Sequence, residues 1–328
     1  MKAVYVKEFG GADNLEIREV EDLPLPNGKE VLVNVKASAL NRADLLQRKG
    51  FYPAPAGFPE RILGLEFAGE VAEIGEEVAN FKVGDRVFGI TAGGAQAEFL
   101  LSDESLLAKI PDNLNFTEAA AIPEAFITAH DAIFTQGNLQ NNETLLIHAV
   151  GSGVGLAALQ LAKERNIKVF GTSRTADKLK ECEKFGLDEG VLVSNETKFA
   201  EIIKEKNDGK GVDVVLDLVG AGYFQENLES LNVKGRIILV GTTSGARAEI
   251  NFSQVMSKRA RIIGTVLRSR STPEKAEATR KFAEEVVQLF ASGKLKPNID
   301  KVFKIEDVRK AHEYLESNAS FGKIVLEF

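Results

Sequence analysis

A glycine-rich turn between an apolar strand and an apolar helix is the stretch best suited to chemistry. The stretch Leu145–Lys163 reads LLIHAVGSGVGLAALQLAK and places Gly151, Gly153 and Gly155 in the turn. Such glycines let backbone N–H groups and a helix N-terminus approach a pyrophosphate without hindrance from a Cβ atom. A bound dinucleotide is therefore the leading hypothesis. The predicted backbone donors to its phosphates are Gly151, Ser152, Gly153 and Val154.

Two other interpretations of this stretch remain open at this point. The strict G-x-G-x-x-G pattern needs glycine where this chain has Leu156, so the segment could be an ordinary strand-to-helix turn. The uncharged run Thr144–Ala162 is also long enough to cross a bilayer. The central glycines, and the charged residues that begin at Lys163, argue against a membrane span.

The next strand indicates which dinucleotide would bind. Lys168–Thr172 is predicted to be a strand and ends about 20 residues past the glycines, where a cofactor-specificity residue is expected. An acidic residue there would favour NADH, but the chain has Ser173 and Arg174, with Lys178 one helical turn further on. A hydroxyl and cations suit a 2′-phosphate, so we predict NADPH. Alternatively, the two cations are solvated residues at a helix start, although they oppose the helix dipole there.

Length and composition indicate a globular enzyme of two domains. The chain has 328 residues, 44% apolar and 27% charged residues, and a net charge of −7. The acidic balance argues against a nucleic-acid partner. The single Cys182 excludes an internal disulfide and leaves the cytoplasm as the default compartment. The segment Met1–Lys7 contains no apolar signal core, and we expect no membrane association.

The pattern of predicted secondary structure changes near residue 120. Before it, short alternating segments separated by turn residues predict a compact antiparallel β domain, with an irregular proline-rich loop at Gly50–Gly64. After it, unbroken apolar strands alternate with helices and predict a parallel sheet with strand order 3-2-1-4-5-6. A helix beginning near Phe116 is predicted to have Thr117 as its N-cap. The predicted strands are Ala3–Val6, Leu15–Val20, Glu30–Ser38, Glu66–Ile74, Arg86–Ile90, Ala97–Leu101, 144–148, 167–172, Gly190–Val193, Val212–Leu218, 235–241 and Arg261–Leu267, and the later helices are Glu124–Phe134, 153–165, 175–185, 197–206, 222–231, Glu274–Ser292 and 306–317.

Several loose motifs occur in an order that is very specific as a set. They resemble the zinc-independent quinone oxidoreductases of the medium-chain dehydrogenase/reductase superfamily, over nearly the whole chain. The stress-inducible quinone reductases are the subgroup that it resembles most. The motifs are Ala37–Asp44, Leu63–Gly69, Val83–Val87, Ala119–Pro123, His148–Gly155 and Gly322–Val325, with Asn41–Asp44, Pro123–Ala125 and Leu267–Arg270 closest to the subgroup.

The resemblance implies an α/β fold in which a Rossmann doubly wound parallel sheet is joined to a GroES-like β-rich catalytic domain. We expect the GroES-like catalytic domain at 1–122 and the Rossmann NADP-binding domain at 123–296. We expect 297–328 to return to the catalytic domain. The family's active site lies in a cleft between its two domains. The family also implies a homodimer or homotetramer, with Arg261–Leu267 as the edge strand that pairs.

The resemblance also implies that no metal takes part. Zinc members of the superfamily use a Cys and a His where this chain has Asn41 and Leu65, although Glu66 is retained. Leucine cannot ligate zinc, and one Cys cannot build a four-thiolate site. Glu66 is either a solvated or paired carboxylate or a remnant near the active site. His148 is expected to face inward at the end of a sheet strand.

The resemblance assigns catalytic roles to Asn41, Asp44 and Tyr52. The Asn41 amide could donate to the substrate or to the cofactor ribose, or Asn41 could simply form a turn. The Tyr52 hydroxyl could orient a carbonyl or relay a proton, or its ring could pack under the loop. Thr128 could contact the nicotinamide or bond backward within its helix. The expected cofactor-binding residues are Arg42, Thr128, Gly151, Ser152, Gly153, Val154, Ser173, Arg174, Lys178, Gly220, Gly241, Thr242, Leu267, Arg268, Ser269, Asn318 and Lys323; Arg42 and Lys323 could instead face solvent.

The predicted activity is hydride transfer from NADPH to a quinone or an α,β-unsaturated carbonyl. Such an electrophile needs alignment and a hydrogen-bond donor more than it needs a metal. Two alternatives stay open. The chain could be an NADPH-binding protein of low turnover, with a structural role like a crystallin or a role in RNA binding. It could also be an enoyl reductase, although the chain resembles a free-standing protein.

Overall fold

The computed structural model describes residues 1–194 and 198–328, and it divides the chain into two compact units. Unit 1 comprises Met1–Ile127 and Leu267–Phe328, and unit 2 comprises Thr128–Val266. The domain boundaries expected at 122 and 296 stay a prediction.

The first part of unit 1 consists mainly of strands. Every second residue from Val31 to Val35 is fully buried, because successive side chains of a strand point to opposite faces of the sheet. Proline and glycine separate the strands and keep the connections irregular. The elements are β1 (Lys2–Val6), β2 (Leu15–Glu19), β3 (Glu30–Ala39), α1 (Arg42–Arg48), β4 (Glu66–Ile74), β5 (Arg86–Ile90), β6 (Phe99–Asp103), β7 (Leu107–Lys109), α2 (Phe116–Ala120) and α3 (Pro123–His130), the last of which ends in unit 2.

Unit 2 is a six-stranded parallel sheet with helices between successive strands. Its strand order is 3-2-1-4-5-6 when the strands are counted along the chain, so the predicted topology is confirmed. Leu146, Phe170, Val215 and Ile237 are fully buried, as expected for strands covered on both faces. After a π-helical segment at Asp131–Gln136 come β8 (Thr144–Ile147), α4 (Gly153–Glu164), β9 (Lys168–Ser173), α5 (Ala176–Glu183), β10 (Glu189–Leu192), α6 (Phe199–Lys206), β11 (Val212–Asp217), α7 (Phe224–Ser230), β12 (Leu231–Leu239), α8 (Phe252–Lys258) and β13 (Arg261–Gly264).

The C-terminal part of unit 1 completes its main sheet. The seven-stranded sheet runs β14-β15-β3-β4-β5-β7, with β6 also paired to β3, while β1 and β2 form a separate hairpin. The remaining elements are α9 (Thr272–Ala291), β14 (Ile299–Lys304), α10 (Val308–Glu316) and β15 (Lys323–Glu327), and short 3₁₀ turns occupy Ala12–Asn14, Glu104–Leu106, Ala221–Tyr223 and Ile305–Asp307.

The strand pairs among β1–β7 are antiparallel, as predicted for the chain before residue 120, and the C-terminal strands β14 and β15 add a parallel pair. These two strands run parallel, because α10 lies between them and carries the chain back to the same end of the sheet. All the other strand pairs of this sheet are antiparallel within the described residues, including β15 with β3.

The predicted N-cap of α2 is wrong. Asn115, and not Thr117, accepts the Glu118 N–H at 2.8 Å, and the Glu118 carboxylate accepts the Asn115 N–H at 2.9 Å. This reciprocal arrangement satisfies two backbone donors at once and outcompetes a cap at Thr117. The Thr117 hydroxyl instead donates to Glu327 at 2.6 Å.

Other differences concern element limits. The helices α1 and α8 are additions to the predicted set, and the helix predicted to reach Phe134 changes to π geometry after His130. The predicted start of one helix at residue 197 lies outside the described residues, and α6 begins at Phe199. In the described ranges, no helix has the length and apolar content to cross a membrane. The run Thr144–Ala162 instead folds as β8, the glycine turn and most of α4.

Candidate functional site

The glycine turn of unit 2 has the geometry of an anion cradle. β8 ends at Ile147, Ala149 takes a left-handed conformation with φ of 48°, and α4 begins at Gly153. A Cβ atom on Gly155 would lie 2.6 Å from the carbonyl oxygen of Ala149, so the turn accepts only glycine there. The chain therefore turns tightly enough to direct the start of α4 toward the carboxyl end of the sheet.

The first turn of α4 contains backbone N–H groups that have no acceptor within the helix. The Ser152 hydroxyl accepts the Gly155 N–H at 3.1 Å and caps the helix. The N–H groups of Gly153 and Val154 have no intrahelical acceptor, since they belong to the first turn, and both residues are partly exposed. The predicted phosphate donors Gly151, Ser152, Gly153 and Val154 thus lie in one turn, although the Ser152 N–H already donates to the Ala149 carbonyl oxygen at 2.9 Å.

The end of β9 lies beside this turn. The Val150 N–H donates to the Thr172 carbonyl oxygen at 3.0 Å, which joins the two segments. Ser173 is buried, and its hydroxyl accepts the Thr175 N–H at 3.2 Å. Arg174 is exposed and Lys178 is partly exposed, so two cations flank the strand end that was predicted to hold a 2′-phosphate.

A second pair of loops meets where β11 and β12 end. Gly220 has φ of 91°, and a Cβ atom on it would lie 2.8 Å from the Cα atom of Thr242. A Cβ atom on Gly241 would lie 2.7 Å from the Leu218 carbonyl oxygen. Glycine at both positions therefore lets the loops approach closely, and the predicted residues Gly220, Gly241 and Thr242 are neighbours.

A buried network below these loops fixes their backbone. One Asp217 carboxylate oxygen accepts the N–H groups of Val219 and Gly220, each at 2.8 Å, and the other accepts from the Asn227 amide. Asn227 in turn contacts the His148 ring, which is fully buried. Burial lowers the pKa of His148, so the neutral ring is favoured. The prediction that His148 faces inward is confirmed.

Thr128 has a buried hydroxyl oxygen with no hydrogen-bond partner among the described residues. The bond back to its own helix, which was the alternative interpretation, is not formed. A buried polar atom without a partner is costly, which is consistent with a missing ligand group. Its predicted contact with the nicotinamide stays a prediction.

Unit 1 contains a buried ion pair among the predicted site residues. The Lys323 ammonium donates to the Glu66 carboxylate at 2.6 Å, to the Asn41 side-chain oxygen at 2.8 Å and to the Leu40 carbonyl oxygen at 3.0 Å. The Asn41 amide nitrogen donates to the same Glu66 oxygen at 2.8 Å. Glu66 is 0% exposed and Lys323 is 5% exposed. Lys323 is therefore not a surface lysine, and Glu66 is a paired carboxylate.

Asp44 stabilises the start of α1. Its two carboxylate oxygens accept the N–H groups of Asn41 at 2.7 Å and Gly64 at 3.0 Å, and its side chain is 0% exposed. Burial raises the pKa of Asp44 to about 6, although these two bonds oppose the shift. Through these contacts Asp44 positions the backbone at Asn41 and Gly64. The catalytic role expected for Asp44 stays a prediction.

Arg268 connects three segments of unit 1. Its guanidinium donates to the Ala92 carbonyl oxygen at 2.8 Å, to the Tyr52 carbonyl oxygen at 3.1 Å and to the Gln47 side chain at 2.5 Å. It also lies 4.8 Å from the centre of the Tyr52 ring, within the range of a cation–π interaction. These contacts fix the start of the proline-rich loop. Tyr52 is partly exposed.

The remaining predicted residues of unit 1 are Arg42, Leu267, Ser269 and Asn318. The Arg42 guanidinium donates to the Asn318 side-chain oxygen at 2.8 Å, so the structure brings these two predicted residues together. Leu267 is buried and Ser269 is exposed, on either side of Arg268. Their cofactor contacts stay predictions.

Sequence reasoning missed Glu124 and Gln47. The Glu124 N–H donates to the Glu66 carboxylate at 2.8 Å, which places a second acid beside the ion pair. Burial, and then the nearby Glu66 charge, raise the pKa of Glu124 to about 8. The available signal was an acidic residue after Pro123 in the otherwise apolar run Ala119–Ile127. Gln47 offered no comparable signal, because its partner lies 221 positions away.

Comparison with known proteins identifies the class. Residues 27–112 match the alcohol dehydrogenase GroES-like domain family, and residues 153–287 match the zinc-binding dehydrogenase family. With the parallel sheet of unit 2, these matches define a medium-chain dehydrogenase/reductase and confirm the predicted fold class. Within the described residues, no three His, Cys, Asp or Glu side chains form a group that could hold a metal ion.

Individual relatives define the family more closely. The chain is 33% identical to human quinone oxidoreductase over 99% of its own length and 97% of the relative's. The Escherichia coli quinone oxidoreductase complexed with NADPH superposes with a TM-score of 0.89 at 30% identity, covering all of both chains. The CurK enoyl reductase superposes with a TM-score of 0.87 at 28% identity, covering 99% of this chain and 98% of the other. The chain belongs to the quinone oxidoreductase family.

Proposed function

We propose that this protein is an NADPH-dependent reductase that transfers hydride to quinones or α,β-unsaturated carbonyls without a metal. The observation that carries the proposal is the first turn of α4, where the Ser152-capped helix leaves two backbone N–H groups unpaired beside the exposed Arg174. The NADPH held by the E. coli relative, which matches this chain over its full length, supports the same assignment.

The proposed nucleotide site uses residues of unit 2. The N–H groups of Gly151, Gly153 and Val154 would hold the pyrophosphate, while that of Ser152 stays bonded to Ala149. Ser173, Arg174 and Lys178 would hold the 2′-phosphate. Gly220 and Gly241 would allow close approach of the loops, and the Thr128 hydroxyl would meet the carboxamide. When bound, NADPH supplies a hydride from its nicotinamide ring.

The proposed acceptor residues lie in unit 1. The partly exposed Tyr52 would orient the acceptor's carbonyl oxygen through its hydroxyl, while Arg268 holds the ring and backbone of Tyr52 in place. The Asn41 amide nitrogen donates to Glu66, and its oxygen accepts from Lys323. We therefore propose that Asn41 acts mainly by positioning Lys323.

The chemistry of these side chains favours a reaction without zinc. Leu65 has no donor atom for a metal. The Glu66 carboxylate already forms an ion pair with Lys323, and the Lys323 ammonium would repel a divalent metal ion placed beside it. A quinone or enone accepts hydride more readily than a simple ketone, so oriented hydrogen-bond donors can replace a Lewis acid.

Enone reduction is the second candidate within the same proposal. The structural similarity to the CurK enoyl reductase favours it. A steady-state screen of quinones, enones and aldehydes with NADPH and NADH, together with metal analysis of the same sample, tests both candidates. We expect NADPH consumption that chelators do not change. NADPH binding without consumption by any acceptor would instead support a structural or interaction role.

We further propose a homodimer or homotetramer paired through β13 and located in the cytoplasm, where NADPH is supplied. β13 is an edge strand, and Ile262 on it is 38% exposed, while Phe252 and Met256 of α8 are 72% and 74% exposed. Exposed edges and apolar patches are usually covered in native proteins. Light scattering that shows a monomer at working concentration would refute this pairing.

A further inference from the structure

Unit 1 brings together three carboxyl groups, Glu66 of the buried ion pair and Asp44 and Glu124 near it, and they differ in how they are bonded. Both oxygens of Glu66 accept hydrogen bonds, as do both oxygens of Asp44, and neither side chain is exposed. Glu124 is partly exposed. Its carboxyl oxygens make no hydrogen bond or ion pair with any other described residue. Glu124 is therefore the one acid of the three that can reach another molecule.

The charges around Glu124 favour its protonated form. Its own N–H lies against the Glu66 carboxylate, and Asp44 adds a second negative charge. The nearby cations are Lys323, Arg268 and Lys275. Lys323 is bonded to Glu66, and Arg268 is bonded to Ala92, Tyr52 and Gln47. Lys275 is buried, and its ammonium lies 5.3 Å from the centre of the Phe58 ring. None of them forms an ion pair with Glu124, so burial and repulsion determine its protonation.

Glu124 lies on α3 near the residue that we propose to orient the acceptor. It interacts electrostatically with Tyr52 and with Arg268, whose guanidinium donates to the Tyr52 carbonyl oxygen. The Glu124 carboxyl is partly exposed and has no hydrogen-bond partner among the described residues. A carboxyl of this kind beside Tyr52 is available to a bound acceptor.

We propose that Glu124 is the catalytic acid that donates a proton to the acceptor's oxygen as the hydride arrives. This inference rests on the proposed reductase function. In the step, the acceptor takes up a hydride from the reduced nucleotide and a proton from Glu124, and so gains two electrons. The carboxyl O–H bond breaks and an O–H bond forms on the acceptor. The Glu124 carboxylate then recovers a proton from water.

A carboxyl group suits this role better than the nearby alternatives. A general acid works best when its pKa is near the working pH, and the pKa of Glu124 is about 8. Burial raises the pKa of Tyr52 above its usual value, so the phenol is a weaker acid and is better suited to orienting the carbonyl. The Lys323 ammonium would leave Glu66 unpaired if it lost its proton.

The test compares wild type with Glu124→Gln, which mimics the neutral acid, and Glu124→Asp, which keeps an acid of shorter reach. Glu313→Gln, an exposed change on α10, is the control. Infrared titration of the nucleotide-free protein should show a protonated carboxyl band that disappears near pH 8 and is absent from Glu124→Gln. This readout does not depend on turnover.

The effect of each substitution on kcat should depend on the acceptor. With a simple para-quinone, Glu124→Gln should lose about 100-fold or more in kcat, while Glu124→Asp keeps part of the rate. With a halogenated quinone, whose reduced form is a stronger acid, the loss should be much smaller. NADPH affinity should stay unchanged in all variants. The wild-type rate should fall above pH 8, and the Glu124→Gln rate should not.

Two results overturn the proposal separately from the function. Equal kcat for wild type and Glu124→Gln with every acceptor would show that Glu124 donates no proton, while the reductase function stands. A carboxyl band that disappears near pH 8 and survives in Glu124→Gln would assign this protonated acid to another residue, whereas a band that disappears near pH 6 belongs to Asp44. If wild type consumes no NADPH with any acceptor, the proposed function itself fails, and this inference fails with it.

Discussion

The Lys323 ammonium lies 2.6 Å from the Glu66 carboxylate, although the two residues are 257 positions apart in the chain. The pair joins β15, near the C-terminus, to the start of β4, and both partners are buried. A buried carboxylate is stable only when it is paired and hydrogen-bonded. The pair therefore couples the stability of unit 1 to the arrangement of Asn41 and Glu124 beside it.

Removing the ammonium should destabilise the protein strongly. We expect Lys323→Met to lower the free energy of unfolding by about 3–5 kcal/mol, because Glu66 is left as a buried charge without its partner. Urea unfolding measures the change. Lys304→Met is the matched control, because Lys304 pairs with Glu327 at 3.0 Å but is 68% exposed; it should cost less than about 1 kcal/mol. Equal losses for the two variants would contradict the buried pairing.

Gly155 in the glycine turn should tolerate no Cβ atom. Gly155→Ala would place a methyl group 2.6 Å from the Ala149 carbonyl oxygen, so the backbone must move. We expect a loss of about 1–3 kcal/mol in stability, together with weaker NADPH binding. Gly264→Ala is the control, since its Cβ atom would meet nothing within 4 Å. Unchanged NADPH affinity in Gly155→Ala would remove the turn from the nucleotide site.

Arg174 should discriminate between the two nicotinamide nucleotides. Arg174→Ala is expected to weaken NADPH binding roughly 10- to 100-fold, because a charge-assisted contact with the 2′-phosphate is lost. NADH binding should change little. Lys184→Ala, which alters a more distant exposed cation that follows α5, controls for net charge. A similar loss for both nucleotides in Arg174→Ala would refute the phosphate contact.

Stability should depend on pH through Glu124. Between its ordinary pKa of 4.5 and its folded pKa of about 8, the native protein holds a proton that the unfolded chain has released. Rising pH therefore favours unfolding in this range, with a slope approaching about 1.4 kcal/mol per pH unit. Glu124→Gln has no such proton, so its stability relative to wild type should increase from pH 5 to pH 8. The contribution of Asp44 is present in both proteins and cancels. A constant difference in unfolding free energy would contradict the raised pKa.

Local sequence patterns predicted much of the fold. The strand Glu66–Ile74 was predicted with its observed limits, and the order of the six parallel strands followed from the alternation of apolar strands with helices. These features depend on side-chain periodicity and on short connections, which are visible in the sequence itself. Helix caps were less predictable, because Asn115 and Thr117 are both good cap residues and only the partner Glu118 decides between them.

The candidate site was less predictable, for a physical reason. Lys323, Glu66 and Asn41 are individually ordinary residues, and their shared burial follows from the pairing of β15 with β3 and of β3 with β4. The protonation of Glu124 depends on the same arrangement. Such properties depend on contacts between distant segments, so a single sequence indicates candidates without showing which of them meet.

Equilibrium titration of the chelator-treated protein with NADPH and with NADH, followed by fluorescence of the reduced nicotinamide, tests the central claim most directly. The account predicts one saturable NADPH site per chain, with an affinity at least about 10-fold higher than that for NADH. Absence of binding by either reduced nucleotide, or binding that requires added zinc, would contradict it.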